Sequence, residues 1–139
     1  MSVVAGKRGI GDLAVITKAN DLVDYTLQIC SNEKCFPKRY RWCVTNRIID
    51  ITYEICDLII HANAVYVRPE DDSLQRRISY QTQALELTEV LLNQIQRAYR
   101  RWALESRRVQ HWTGLIEEIQ RLIKGWRKAD KERYKNIYG

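Results

Sequence analysis

A chain of 139 residues with 45% hydrophobic content fits one packed domain and excludes disorder, while only 6 glycines and 2 prolines argue against a turn-rich all-β fold. The formal net charge of +6, from 23 Lys and Arg against 17 Asp and Glu, favours acidic partners such as nucleic acid. No stretch approaches the roughly 20 apolar residues of a membrane span, and Met1 to Leu13 lack the apolar core of a signal peptide, so a cytoplasmic chain without membrane contact is expected.

Residues 1–11 hold three glycines and the pair Lys7-Arg8, and read as a flexible basic tail. Gly6-Lys7-Arg8 lacks the first glycine, the spacing and the Ser or Thr of a phosphate loop. A four-helix bundle domain is expected over 12–128, followed by a basic, fraying tail at 129–139.

The first helix is predicted from about Asp12, a plausible N-cap, to Ser31. Ile16, Ala19, Val23, Leu27 and Cys30 recur at steps of three or four, with Leu22 and Ile29 beside them. Pro37 then opens a second helix, predicted over about 38–67, and Phe36 covers the end of the core. Its stripe is Tyr40, Val44, Ile48, Ile51, Ile55, Leu58, Ala62 and Val65, widened by Ile49, Ile59 and Tyr66. The isoleucines alone would permit strands, but length and period decide for helix.

Pro69 stops the second helix, and the acids at 70–72 suit the positive end of a third, predicted over about 71–105. Leu74, Ile78, Gln81, Leu85, Thr88, Leu92, Ile95, Tyr99 and Trp102 alternate steps of three and four, a heptad seam of the kind used in bundles. A short break near Ser106 leads to a fourth helix with Val109, Trp112, Ile116, Ile119, Ile123 and Trp126 on one face. Four amphipathic helices joined by short loops bury their stripes best as an all-α, antiparallel up-down-up-down four-helix bundle.

No catalytic set is present in the sequence. His61 and His111 fall on different helices and read as structural, there is no E-x-x-H pair for a di-iron bundle, and no nucleophile elbow. Cys30, Cys35, Cys43 and Cys56 match no zinc spacing and are expected to be free and mostly buried. No metal, cofactor or small-molecule substrate is expected.

In an up-down-up-down bundle one pole collects Lys34, Lys38, Arg39, Arg41, Arg47, Arg97, Arg100, Arg101, Arg107 and Arg108, with Glu33 and Glu105 as the main acids nearby. Arginine dominates, and its planar fork suits phosphate. Tyr40, Trp42, Tyr99 and Trp102 sit among these residues. Tyr99 and Trp102 lie on the seam and are assigned to the core, whereas Trp42 and Tyr53 lie off the stripe and are assigned to a partner interface. The run from Arg121 to Lys135 is also basic, but Asp130 and Glu132 interrupt it, so it ranks below the first pole.

Phe36-Pro37-Lys38 opening a helix resembles bacterial four-helix bundle proteins, including those encoded by intervening sequences in 23S ribosomal RNA genes. The C-terminal half is closer to one branch. A long helix with Leu85, Leu92 and Trp102 precedes one with His111-Trp112, Leu115-Ile116-Glu117-Glu118-Ile119, Leu122-Ile123 and Gly125-Trp126. This resembles the accessory variability determinant of diversity-generating retroelements, whose late helix has the form L-I-x-E-[IV]-x-[RK]-[IL]-[IL]-G-x-W. Here Gly125 directly precedes Trp126.

The resemblance implies a barrel-like homo-oligomer, a pentamer, with a basic surface. It further implies partnership with a reverse transcriptase and binding of template RNA and cDNA. The alternatives are a ribosomal-RNA-associated bundle protein or a purely protein-binding oligomeric scaffold. Gly125 should cost about 1 kcal/mol relative to alanine in a helix interior; close approach of another helix or of Trp126 is the expected compensation, and a helix already fraying there is the alternative.

Overall fold

The computed structural model describes residues 10–102 and 104–135; the expected N-terminal tail therefore lies outside the described residues, apart from 10 and 11, as do 136–139. Four helices carry the fold: α1 (Ile10–Cys30), α2 (Asn46–Ala64), α3 (Ser73–Arg101) and α4 (Ser106–Arg133). Among the described residues there is no strand, and the chain is an all-α four-helix bundle. Each helix packs on the next, and α1 packs on α4, so the four close a ring in which α2 and α4 lie diagonally opposite. Along α1 and α4 the paired positions run in opposite senses: Lys18 meets Glu118 and Thr26 meets Trp112.

The fourth helix follows the sequence pattern closely. Trp112, Ile116, Ile119, Ile123 and Trp126 are all buried. Each fully buried Ile contributes roughly 1.5–3 kcal/mol by leaving water. In α1 and α3 the buried face is turned from the predicted stripe. The core of α1 is Val15, Ala19, Leu22, Thr26, Ile29 and Cys30, so Ala19 and Cys30 are buried as expected, while Leu27 is exposed. Thr26 displaces an apolar residue because its hydroxyl accepts a bond from Trp112 Nε1 at 2.9 Å, which satisfies a buried donor.

In α3 the buried positions are Ser73, Arg77, Gln81, Ala84, Thr88, Leu91, Ile95 and Ala98, of which Gln81, Thr88 and Ile95 lie on the predicted seam. Leu74, Ile78, Leu85 and Leu92 are only half-buried, and Tyr99 is exposed. Ala84, Leu91, Ile95 and Ala98 supply the apolar part of this face, and Arg77 and Gln81 turn it toward α4.

A buried polar knot fastens α3 to α4. Arg77 Nε donates to Asp130 Oδ2 at 2.7 Å, Arg77 Nη2 donates to Oδ1 at 3.2 Å, and Gln81 Nε2 donates to Oδ2 at 2.6 Å. The Arg77 guanidinium lies 5.3 Å from the centroid of Trp126. Asp130 is 1% exposed. The expected frayed tail from 129 is therefore replaced, as far as Arg133, by packed helix: a carboxylate on the inward face has a buried arginine to meet.

Three further boundaries differ. Asp12 lies inside α1, which begins at Ile10. The second helix does not run evenly from 38, because a 3-10 turn (Lys38–Tyr40) and a π turn (Arg41–Thr45) precede α2. It ends at Ala64, where Val65 becomes extended, and Tyr66 is exposed. Beyond it, Ser73 accepts from the Arg68 N–H and donates to the Arg68 carbonyl, closing the loop into α3.

Gly114 and Gly125 lie within α4, and a Cβ placed at either would meet no atom within 4 Å. Close approach within the bundle therefore does not account for Gly125, nor does fraying.

Candidate nucleic-acid interface

The loop after α1 turns on Asn32, whose carbonyl accepts the N–H groups of Cys35 and Phe36 at 2.9 and 3.0 Å. That turn sends Cys35 and Phe36 inward and leaves Lys34 exposed. Phe36 fills the pole of the core as expected, with its ring edge-on to Trp102 and Trp112 at 5.8 and 6.3 Å. Pro37, with no N–H to leave unpaired, begins the 3-10 turn.

Within the π turn Thr45 donates its hydroxyl to the Arg41 carbonyl at 2.8 Å, which satisfies a buried hydroxyl at the turn's end. Thr45 is buried in place of Val44, and Trp42 stands 78% exposed. The widened turn also carries Cys43 to the surface.

Against this irregular start of α2, the end of α3 forms a groove of about 640 Å³. Tyr40, Val44, Ala98 and Trp102 line it, and Arg47, Arg97 and Arg101 contribute its charge. Tyr40 and Trp102 contact each other at 5.3 Å between centroids. Arg39 lies 5.1 Å from the Tyr40 ring centroid, and Arg101 lies 5.9 Å from that of Trp102. Planar cations over aromatic rings beside an open groove can take phosphate with the guanidinium edge while a base stacks alongside.

The structure thus brings Arg47, Arg97 and Arg101 together, with Arg39 beside Tyr40. Lys34, Lys38, Arg41 and Arg100 are exposed and are not in the groove lining. Arg107 and Arg108 differ, because both pair with Glu105, at 3.5 and 2.9 Å. The hydrogen bond to Glu105 raises the Arg108 guanidinium above its ordinary value. The pairing also offsets two cations at the positive end of α4. Trp102 is half-buried in the cluster, as its place on the seam implies, whereas Tyr99 is 43% exposed and not in the core.

The other candidate residues are scattered. Tyr53 is 44% exposed on the outer side of α2. His61 stacks on Tyr80 at 5.2 Å, and His111 meets Tyr25 edge-on at 4.7 Å, so the two histidines share no site. Among the described residues no group of His, Cys, Asp or Glu is placed to hold a metal, and no helix is long and apolar enough to cross a membrane. All four cysteines are free, but only Cys30 and Cys35 are buried. The expectation of mostly buried thiols fails at Cys43, which the π turn exposes, and at half-buried Cys56.

The sequence pattern underrates one residue. By composition Asp130 dilutes the basic run of Arg121 to Lys135, yet it points into the core and pairs with Arg77. Its place at the i+4 position from Trp126, on the apolar face of α4, is the signal that marks it as inward.

No curated protein and no solved structure matches the chain. A family model described as bAvd-like matches residues 13–129, which span all four helices and both sides of the arginine groove. This agrees with the resemblance carried by the last two helices to accessory variability determinants, and the chain belongs to the bAvd-like family.

Proposed function

We propose that this chain is a non-catalytic accessory subunit of a diversity-generating retroelement. In this reading it assembles with copies of itself, binds the reverse transcriptase, and holds template RNA or cDNA during mutagenic copying. Membership of the bAvd-like family supports the accessory role. The observation that carries the nucleic-acid part is the groove in which Arg47, Arg97 and Arg101 surround Tyr40 and Trp102. Charge on the rim and ring faces within are what a single strand needs, and neither feature reads sequence.

Phosphate neutralisation releases counterions, so affinity should fall steeply with salt. Replacing Arg47, Arg97 and Arg101 by Gln keeps helix propensity and removes three charges. RNA titrations at two salt concentrations should show weaker binding for the variant. The slope should be shallower by about two to three, near 0.7–0.9 for each phosphate that is no longer neutralised. Replacing Arg107 and Arg108, already paired with Glu105, should change the slope less. RNA affinity and salt slope that are unchanged in a folded groove variant would refute the assignment. The purely protein-binding scaffold would show weak RNA binding from the start.

A further inference from the structure

The outer faces of α2 and α4 carry opposite charges at the same spacing. On α2, Asp50, Glu54 and Asp57 stand outside the core at steps of four and three. On α4, Lys124, Lys128 and Lys131 are exposed at steps of four and three. Each trio spans seven residue steps, about 10 Å of helix. None of the six forms an ion pair among the described residues. The neighbouring charges Arg121 and Lys135 are already engaged by Glu118 and Glu132.

The two faces cannot meet within one molecule, because α2 and α4 lie diagonally opposite in the ring. They can meet between molecules. Apolar relief accompanies the charge. Tyr53 and Ile60, 44% and 45% exposed, stand beside the acidic trio. Gly125 stands beside Lys124 with open space where a Cβ would be. An exposed glycine in mid-helix gains nothing within the bundle, but it leaves a hollow in which a tyrosine ring fits against backbone. The buried Arg77–Asp130 pair keeps one carboxylate off this surface, and Glu132, which shares it with the lysines, is paired with Lys135, so the face stays net basic.

We propose that the α2 face of one copy docks on the α4 face of the next, with Asp50, Glu54 and Asp57 against Lys124, Lys128 and Lys131 and with Tyr53 over Gly125. The contact uses two different patches, so it is heterologous and propagates head to tail into a ring or an open chain. It deepens the assembly part of the proposed function and rests on that part. The α4 lysines then serve subunit pairing, with Arg47 of the groove one turn before Asp50 at the edge of the contact.

The experiment is a charge exchange read by sedimentation velocity at micromolar protein and physiological salt, with helicity monitored throughout. Asp50→Lys, Glu54→Lys and Asp57→Lys together should dissociate the assembly, and so should Lys124→Glu, Lys128→Glu and Lys131→Glu. All six in one chain should restore the wild-type mass. Gly125→Leu, which changes no charge and whose Cβ meets no atom of its own bundle, should also dissociate it. Wild-type mass in both three-residue variants would overturn this interface while leaving assembly standing. A monomeric wild type would overturn the interface and the assembly reading together. RNA affinity that falls by orders of magnitude in the lysine variant, with its mass unchanged, would reassign the α4 face to nucleic acid and overturn the proposal.

Discussion

Removing the Asp130 carboxylate is the sharpest test of how α4 is held. In Asp130→Ala the Arg77 side chain, 7% exposed, loses both bonds to the carboxylate, and Gln81 Nε2 loses its acceptor. Arg77 is also bonded to the Val65 carbonyl, at 3.4 Å, and lies against the ring of Trp126. Removing one partner of a buried ion pair costs about 3–5 kcal/mol, against a total stability of about 5–15 kcal/mol for a domain of this kind. Asp130→Asn should cost less, because the amide oxygen still accepts one bond. Replacing Arg77 by Met, Gln81 by Leu and Asp130 by Leu together should recover most of the loss, since a buried ion pair contributes little beyond an apolar isostere. Urea denaturation followed by helical circular dichroism, at one fixed protein concentration, gives all three values. A loss below about 1 kcal/mol in Asp130→Ala would mean that the last two turns of α4 are not docked on α3, and the reasoning would fail.

Thr26→Val leaves the Trp112 indole N–H buried without its acceptor and should destabilise the bundle by about 1–3 kcal/mol in the same urea assay. Gly114→Ala meets open space in mid-helix and should stabilise by up to about 1 kcal/mol, seen as a melting temperature raised by a few degrees. Burial pushes the Cys30 thiol up to about 12 from a reference of 9.0. A raised folded value favours the protonated thiol. Its stabilising contribution is therefore complete below pH 9 and is lost as pH rises from 9 to about 12, which an alkaline denaturation series on wild type and Cys30→Ala will detect. Exposed Cys43 should alkylate first and Cys30 last, and reducing agent should leave the melting temperature unchanged because all four thiols are free.

The sequence by itself determined that the chain is helical, roughly where each helix lies, and which residues fill α4. Those conclusions rest on period and breakers, and both are local. Trp112, Ile116, Ile119, Ile123 and Trp126 are buried as read because their stripe holds no competing polar residue until Asp130. The basic pole was likewise legible as a set of charges.

Only the tertiary structure decided how α1 and α3 are rotated. A stripe of leucines specifies an apolar face to within about one residue, or about 100° of helix rotation. The choice within that arc came from partners on other helices: Trp112 for Thr26, and Asp130 for Arg77 and Gln81. The same holds for the groove. Its residues are spread from 40 to 102 in the chain, and they meet only where the irregular start of α2 packs on the end of α3. It also holds for Asp130, a surface charge by composition. It is a core residue by position, because a buried arginine 53 residues away makes burial of the carboxylate tolerable.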